Sequence, residues 1–101
     1  MITTLKSIFS TLKIPFAYSH FQKPVSPPYA VVIGAGQTTF GSDNTWSYRR
    51  NRYQLEYYFK LKDEAKETAI ENALLNNGLN YEKSEDAFIQ SEGVFVIYYT
   101  I

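Results

Sequence analysis

The chain has no cysteine, one histidine, one tryptophan and one methionine among its 101 residues. Without cysteine there is no disulfide framework, thiolate metal site or cysteine nucleophile, and no need of an oxidising compartment. His20 stands in a proline-flanked segment with no carboxylate at a fixed spacing. Surface or half-buried packing is therefore expected of it, not metal binding or acid–base chemistry. No apolar run approaches the roughly twenty residues that cross a bilayer, and the first residues lack a signal peptide's continuous apolar core. A soluble intracellular product is expected.

Net charge is also lacking: ten basic and ten acidic residues cancel. A neutral chain has little general attraction for nucleic acid or anionic membrane. The order of the charges is uneven, however. Up to Lys62 eight cations face two anions, and from Asp63 onward two cations face eight anions. Either the halves neutralise each other within one folded molecule, or a basic face meets the acidic face of a neighbouring subunit.

Hydrophobic residues make up 45% and aromatics 17%, with nine Tyr and seven Phe, a folded and sheet-rich composition. One domain spanning residues 1–101 can bury a single core without staples. The clearest pattern lies in residues 46–62. There Tyr53, Leu55, Tyr57, Phe59 and Leu61 alternate with Arg52, Gln54, Glu56, Tyr58, Lys60 and Lys62. Strand side chains point alternately to opposite faces, so this is a half-buried strand with one apolar and one mostly wet side.

The rest is placed around that strand. Leu5, Ile8, Phe9 and Leu12 form a helical stripe that predicts a core-packed helix over residues 4–13, with Thr3 or Thr4 as cap and Pro15 beyond its end. Residues 16–18 suit a short edge strand and 21–28 an extended, proline-bearing connector, while 29–33 read as a central strand. Residues 34–44 are dense in turn formers and predict a mobile loop or loose hairpin tip carrying Phe40. Asp63 caps a second helix, with Ala65, Ala69, Ile70, Ala73 and Leu74 inward, Glu64, Lys66, Glu67 and Glu71 outward, and Asn77-Gly78 closing it. Strand pieces at 79–81 and 87–90 precede a central strand over 94–101. The expected fold is α+β: a mostly antiparallel twisted sheet with two helices packed on it, in the order α-β-β-β-α-β-β.

No chemistry emerges. Gly34-Ala35-Gly36 follows a strand but lacks a correctly spaced third glycine and a following helix, so it does not make a dinucleotide loop. Glu64, Glu67 and Glu71 share a helix face read as solvated, which offers no pocket to separate the pKa values of an acid–base pair. Trp46, Tyr48, Arg49, Arg50, Arg52 and Tyr53 mix cations with aromatics. The absent net charge weighs against a nucleic-acid platform, and Arg, Trp and Tyr are the residues of protein-interface hot spots. No catalytic, cofactor-binding or metal-ligating residue is assigned.

Several blocks together carry a family resemblance. They are Pro28-Tyr29-Ala30-Val31-Val32, then Asn51-Arg52-Tyr53-Gln54-Leu55-Glu56-Tyr57-Tyr58-Phe59 running into Lys62-Asp63-Glu64. Next come Ile70-Glu71-Asn72-Ala73-Leu74 closing on Gly78-Leu79-Asn80-Tyr81, and finally Gly93-Val94-Phe95-Val96-Ile97-Tyr98-Tyr99. Over residues 25–101 the chain resembles the small tail-terminator or tail-completion proteins of long-tailed bacteriophages and prophages.

The resemblance implies a non-enzymatic structural protein of the virion. It would assemble in the host cytoplasm as a homo-oligomeric ring, commonly a hexamer, that caps the tail tube and docks on the head connector. It implies as partners the chain itself, the tail tube protein and a head-completion protein, with no cofactor, membrane or sequence-specific nucleic acid. The chain is shorter than many members of that family. The interface candidates are Phe40, Trp46, Arg49, Arg50 and Arg52 on a basic side, and Glu64, Glu67, Glu82, Glu85 and Asp86 on an acidic side. The alternative is a small phage-encoded, host-directed binding module acting through the surface from Trp46 to Arg52.

Overall fold

The computed structural model describes residues 1–41 and 47–101, with the side chains of Phe40, Ser47 and Tyr48 also outside the described set. The fold is α+β, as the pattern of periods implies. Its elements are α1 (Ile2–Leu12), β1 (Phe16–Tyr18), β2 (Tyr29–Gly41), β3 (Ser47–Phe59), α2 (Glu64–Asn76), β4 (Glu82–Lys83), β5 (Ala87–Ile89) and β6 (Val94–Thr100). They make one six-stranded sheet in the order β1-β2-β3-β6-β4, with β5 also paired to β6. Among the described residues only the β1–β2 pair is parallel; the others are antiparallel.

The alternation in β3 sets the core. Leu55, Tyr57 and Phe59 lie opposite Tyr99, Ile97 and Phe95 of β6, while Val32 and Ala30 of β2 flank Leu55 and Tyr57 on the other side. Onto this face α1 brings Leu5, Ile8 and Phe9, and α2 brings Ile70 and Leu74. The rings continue the layer: Phe9 stacks on Phe16, and Phe59 on both Tyr57 and Phe95.

The helix ends follow local chemistry. Asp63 Oδ1 accepts from the Lys66 amide at 3.2 Å, holding one of the first-turn donors that a helix leaves free. At the other end Gly78 has φ +74°, and the Leu79 amide returns to the Leu74 carbonyl at 2.9 Å, folding Leu79 onto the core. Helix α1 begins at Ile2, earlier than expected, so Thr3 and Thr4 lie inside it and no side chain caps it. Its C-terminus is set by left-handed Lys13, three residues after which Phe16 opens β1.

Three expectations are corrected. Leu61 falls outside β3 and is 85% exposed, because the chain bends after Phe59 to bring Asp63 to its cap. The piece expected at residues 79–81 is displaced to β4, where Glu82 pairs Thr100 and Lys83 pairs Tyr99. The loop expected over residues 34–44 is mostly strand: β2 runs on to Gly41, shifting register between Gly34 and Gln37. Gly36, at φ +96°, absorbs that irregularity, and beyond it Gln37, Thr38, Thr39, Phe40 and Gly41 pair with Asn51, Arg50, Arg49, Tyr48 and Ser47. The last three residues of the expected loop, Ser42, Asp43 and Asn44, lie outside the described residues.

Beta6 pairs with β3 from Gln54 to Phe59, and Ile101 just beyond it exchanges both backbone hydrogen bonds with Tyr53, so the β2–β3 ribbon leaves the sheet at Arg52 as a two-stranded arm. The molecule accordingly measures 51 Å along its long axis against 29 and 26 Å across. Two strands without a third or a helix are marginally held. The amides of Thr38 and Arg50 are therefore expected to exchange with solvent orders of magnitude faster than those of Leu55 and Tyr57 in the same strands, as hydrogen exchange read by NMR will show.

Candidate interaction surfaces

The acidic residues of α2 do not share one wet face: Glu64 is exposed, Glu71 half-buried and Glu67 buried. Glu67 stands three residues before Ile70 and seven before Leu74, on the helix stripe that faces the sheet, and is 2% exposed. Its charge is met from two directions, with Lys62 Nζ and Lys83 Nζ donating to Oε1 at 3.0 and 2.9 Å. Lys62 Nζ also lies 2.8 Å from Glu67 Oε2 but off the hydrogen-bonding direction, so that contact is Coulombic. Lys62 reaches on to Asp86, and Lys83 to Glu71, whose Oε2 also accepts from the Tyr99 hydroxyl at 2.8 Å. Two lysines and three carboxylates thus clamp α2 to the chain after β3 and to β4.

The cluster removes Glu67 from the interface candidates, because a side chain this buried and twice paired has no surface to offer. Asp86 is exposed but engaged by Lys62 within the same chain. To that extent the two charged halves neutralise each other internally.

The same cluster carries a pH dependence. Burial pushes the Tyr57 hydroxyl up to about 12 from 10.0. Burial and the bond to Glu71 raise Tyr99 further. Burial pulls Lys83 down, but its bonds to Glu71 and Glu67 outweigh that and hold it above 10.5. For all three the protonated form is favoured by the fold, so their contribution is complete below the unfolded values near 10 and is lost as pH rises above them. The urea midpoint is expected to stay level from pH 8 to about pH 10 and to fall above it; a level midpoint at pH 11.5 would contradict these environments.

On the arm, Arg49, Arg50 and Arg52 are all exposed. Successive strand residues face opposite ways, so Arg50 and Arg52 share one side and Arg49 takes the other. Arg50 and Arg52 border a cavity of about 430 Å³ at the arm's root with Tyr81, Glu82 and Thr100. Glu82 therefore sits beside the arginines of its own chain, not on an opposed face. Glu64, at the first turn of α2, and Glu85, between β4 and β5, are exposed. Phe40 contributes backbone pairing to Tyr48, its side chain being outside the described set, and Trp46 lies outside the described residues.

The sheet face away from the helices holds a constellation that the sequence reading passed over. Tyr29 stacks on Tyr58, with centroids 4.9 Å apart, and Phe21 meets Tyr29 edge-on at 5.5 Å. Tyr58 Oη donates to Glu56 Oε1 at 2.8 Å, and Gln54 Nε2 donates to Glu56 Oε2 at 3.3 Å. Tyr29, Tyr58 and Glu56, with Val31, the segment from Ser19 to Val25 and Glu92, line a cavity of about 540 Å³. Burial, then the bond to Glu56, raises the Tyr58 hydroxyl pKa; burial, then the Glu92 charge, raises that of Tyr29. The signal was Tyr58 itself, a large ring on the parity read as wet.

His20 is exposed, with Nδ1 3.2 Å from Ser19 Oγ. Among the described residues no group of three or more His, Asp or Glu is placed to hold a metal ion. No helix among the described residues is long and apolar enough to cross a membrane. No protein-family model matches the chain, and no curated protein sequence matches it.

Proposed function

We propose that the protein is a structural subunit that assembles head to tail into a ring, of the kind that caps a phage tail tube and joins it to the head. The observation that carries this reading is the arm. A two-stranded ribbon projecting from a compact sheet, with exposed Arg49, Arg50 and Arg52, has too little of its own to bury and acquires its stability from a partner surface. The sequence blocks that resemble tail-terminator proteins supply β2, β3, α2 and β6, the framework from which the arm extends. Its partners in this reading are further copies of itself, the tail tube protein and the head connector, and its place is the head–tail junction of the virion.

An arm contact of this kind is heterologous, since the arm and its receiving surface differ, and such contacts close into rings when the rotation allows. Charges at the rim steer and register the contact. Association is therefore expected to weaken with added salt. Arg49→Glu with Arg50→Glu is expected to lower the sedimentation mass toward that of a monomer at unchanged melting temperature. Phage carrying the pair are expected to make tails of irregular length or tails that fail to join heads. Normal virions from that double variant, or a wild-type chain that stays monomeric at millimolar concentration and on tail tubes, would overturn the reading.

A further inference from the structure

We infer that the cavity lined by Tyr29, Tyr58, Phe21, Glu56 and Glu92 is the receiving site for the arm, taking an arginine of a second copy of this chain between its rings and carboxylates. The inference rests on the ring reading above and names the two surfaces that meet. Arginine suits the site chemically: its guanidinium is weakly hydrated, stacks on aromatic faces and presents a planar fork of donors to a carboxylate. Glu56 is half-buried and already orders Tyr58 and Gln54 through its two oxygens, yet each carboxylate oxygen retains acceptor capacity. Among the described residues neither Glu56 nor Glu92 takes part in an ion pair within 4.0 Å, in contrast to Glu67, Glu71 and Asp86. Lys23 stands exposed on the cavity's border without pairing to either.

The chain cannot fill this cavity with its own arm. Arg52, the arm arginine nearest to Glu56, lies four residues along β3 from it, about 13 Å at the rise of a strand, Arg50 and Arg49 lie farther out, and no ion pair joins any of them to Glu56. Donor and acceptor therefore sit at opposite ends of the same pair of strands, which is the geometry of a head-to-tail contact.

The test uses two variants of the whole chain. One carries Glu56→Gln and Glu92→Gln, which keeps acceptors for Tyr58 and removes the charge. The other carries Arg49→Glu, Arg50→Glu and Arg52→Glu. Each alone is expected to self-associate about tenfold or more weakly than the wild type, with circular dichroism and melting temperature unchanged. In a mixture of the two, the arm variant keeps its cavity but offers no arm, and the glutamine variant keeps its arm but offers no charged cavity. The mixture is therefore expected to form a one-to-one heterodimer that grows no further. A glutamine variant that associates as tightly as the wild type would overturn the inference while leaving the ring reading standing. A wild-type chain that does not associate overturns the ring reading, and a peptide of residues 49–53 then decides the inference. Saturable shifts of the Tyr29 and Tyr58 ring resonances, absent in the glutamine variant, would uphold it, and no shift would overturn it.

Discussion

Leu55→Asp is expected to remove a large part of the protein's stability. Leu55 is 0% exposed and sits at the middle of the sheet, with Val32 on one side, Tyr99 on the other and the helices over it. An aspartate there leaves a carboxylate with no partner inside the apolar layer, besides deleting the leucine's own packing. A cost of about 4 kcal/mol or more is expected, against a total stability of roughly 5–15 kcal/mol for a domain of this kind. The control is Asn51→Asp on the arm, exposed and still able to accept from Gln37 Nε2, which is expected to move stability by less than about 0.5 kcal/mol. Urea titration by circular dichroism separates the two. A Leu55→Asp protein that melts cooperatively at the wild-type midpoint would show that this face of β3 is not the core.

Removing both lysines from the buried carboxylate is expected to be nearly as damaging. In a chain with Lys62→Met and Lys83→Met, Glu67 keeps its position between α2 and the sheet and loses every cation that now meets it. An uncompensated buried charge costs about 3–5 kcal/mol, whereas a buried ion pair replaced whole by apolar residues of similar volume is close to neutral. Adding Glu67→Met to the double variant is therefore expected to restore most of the loss. That recovery separates an electrostatic clamp from simple loss of packing, because a packing defect would deepen with a third substitution. Wild-type stability of the Lys62→Met, Lys83→Met protein would remove the clamp from the account.

What could be read in advance was what is written in short-range periods. The alternation through Leu55, Tyr57 and Phe59 names the inner face without knowledge of any neighbour. Asp63 and Gly78 bracket α2 because capping is chemistry within a few residues. Glu67 was misread because its burial is decided by Lys83, 16 residues away, and by Lys62 across a bend. Only its spacing to Ile70 and Leu74 hinted at the inner stripe, and a charge on a stripe is ordinarily taken for the edge of the wet face. The arm was taken for a loop for a similar reason. Gly34, Gly36 and Gly41 favour turns locally, but Thr38 and Thr39 find Arg50 and Arg49 across the ladder, and pairing overrides the local preference. Of the cavity on the outer face only Tyr58, a ring on the wet parity, gave a sign, since Tyr29, Glu56 and Tyr58 meet only when β2 and β3 are in register.

The borders of the sheet divide sharply by length. At the body they are short: three residues in β1, two in β4 and three in β5. A border that brief gives a passing strand too few backbone groups to zip onto. The arm is the opposite, two strands whose described residues, 37–41 and 47–51, pair with each other and turn their outer N–H and C=O rows to no further strand of the sheet. Left apolar, it would be a template for runaway ladder growth. Arginines at three of its positions make two arms laid side by side repel, because like charges facing each other across a ladder are unfavourable. They act as a gatekeeper as well as a contact: arm against arm is discouraged, arm against a carboxylate-bearing surface is not, and copies are sorted into one polarity before any side chain has docked.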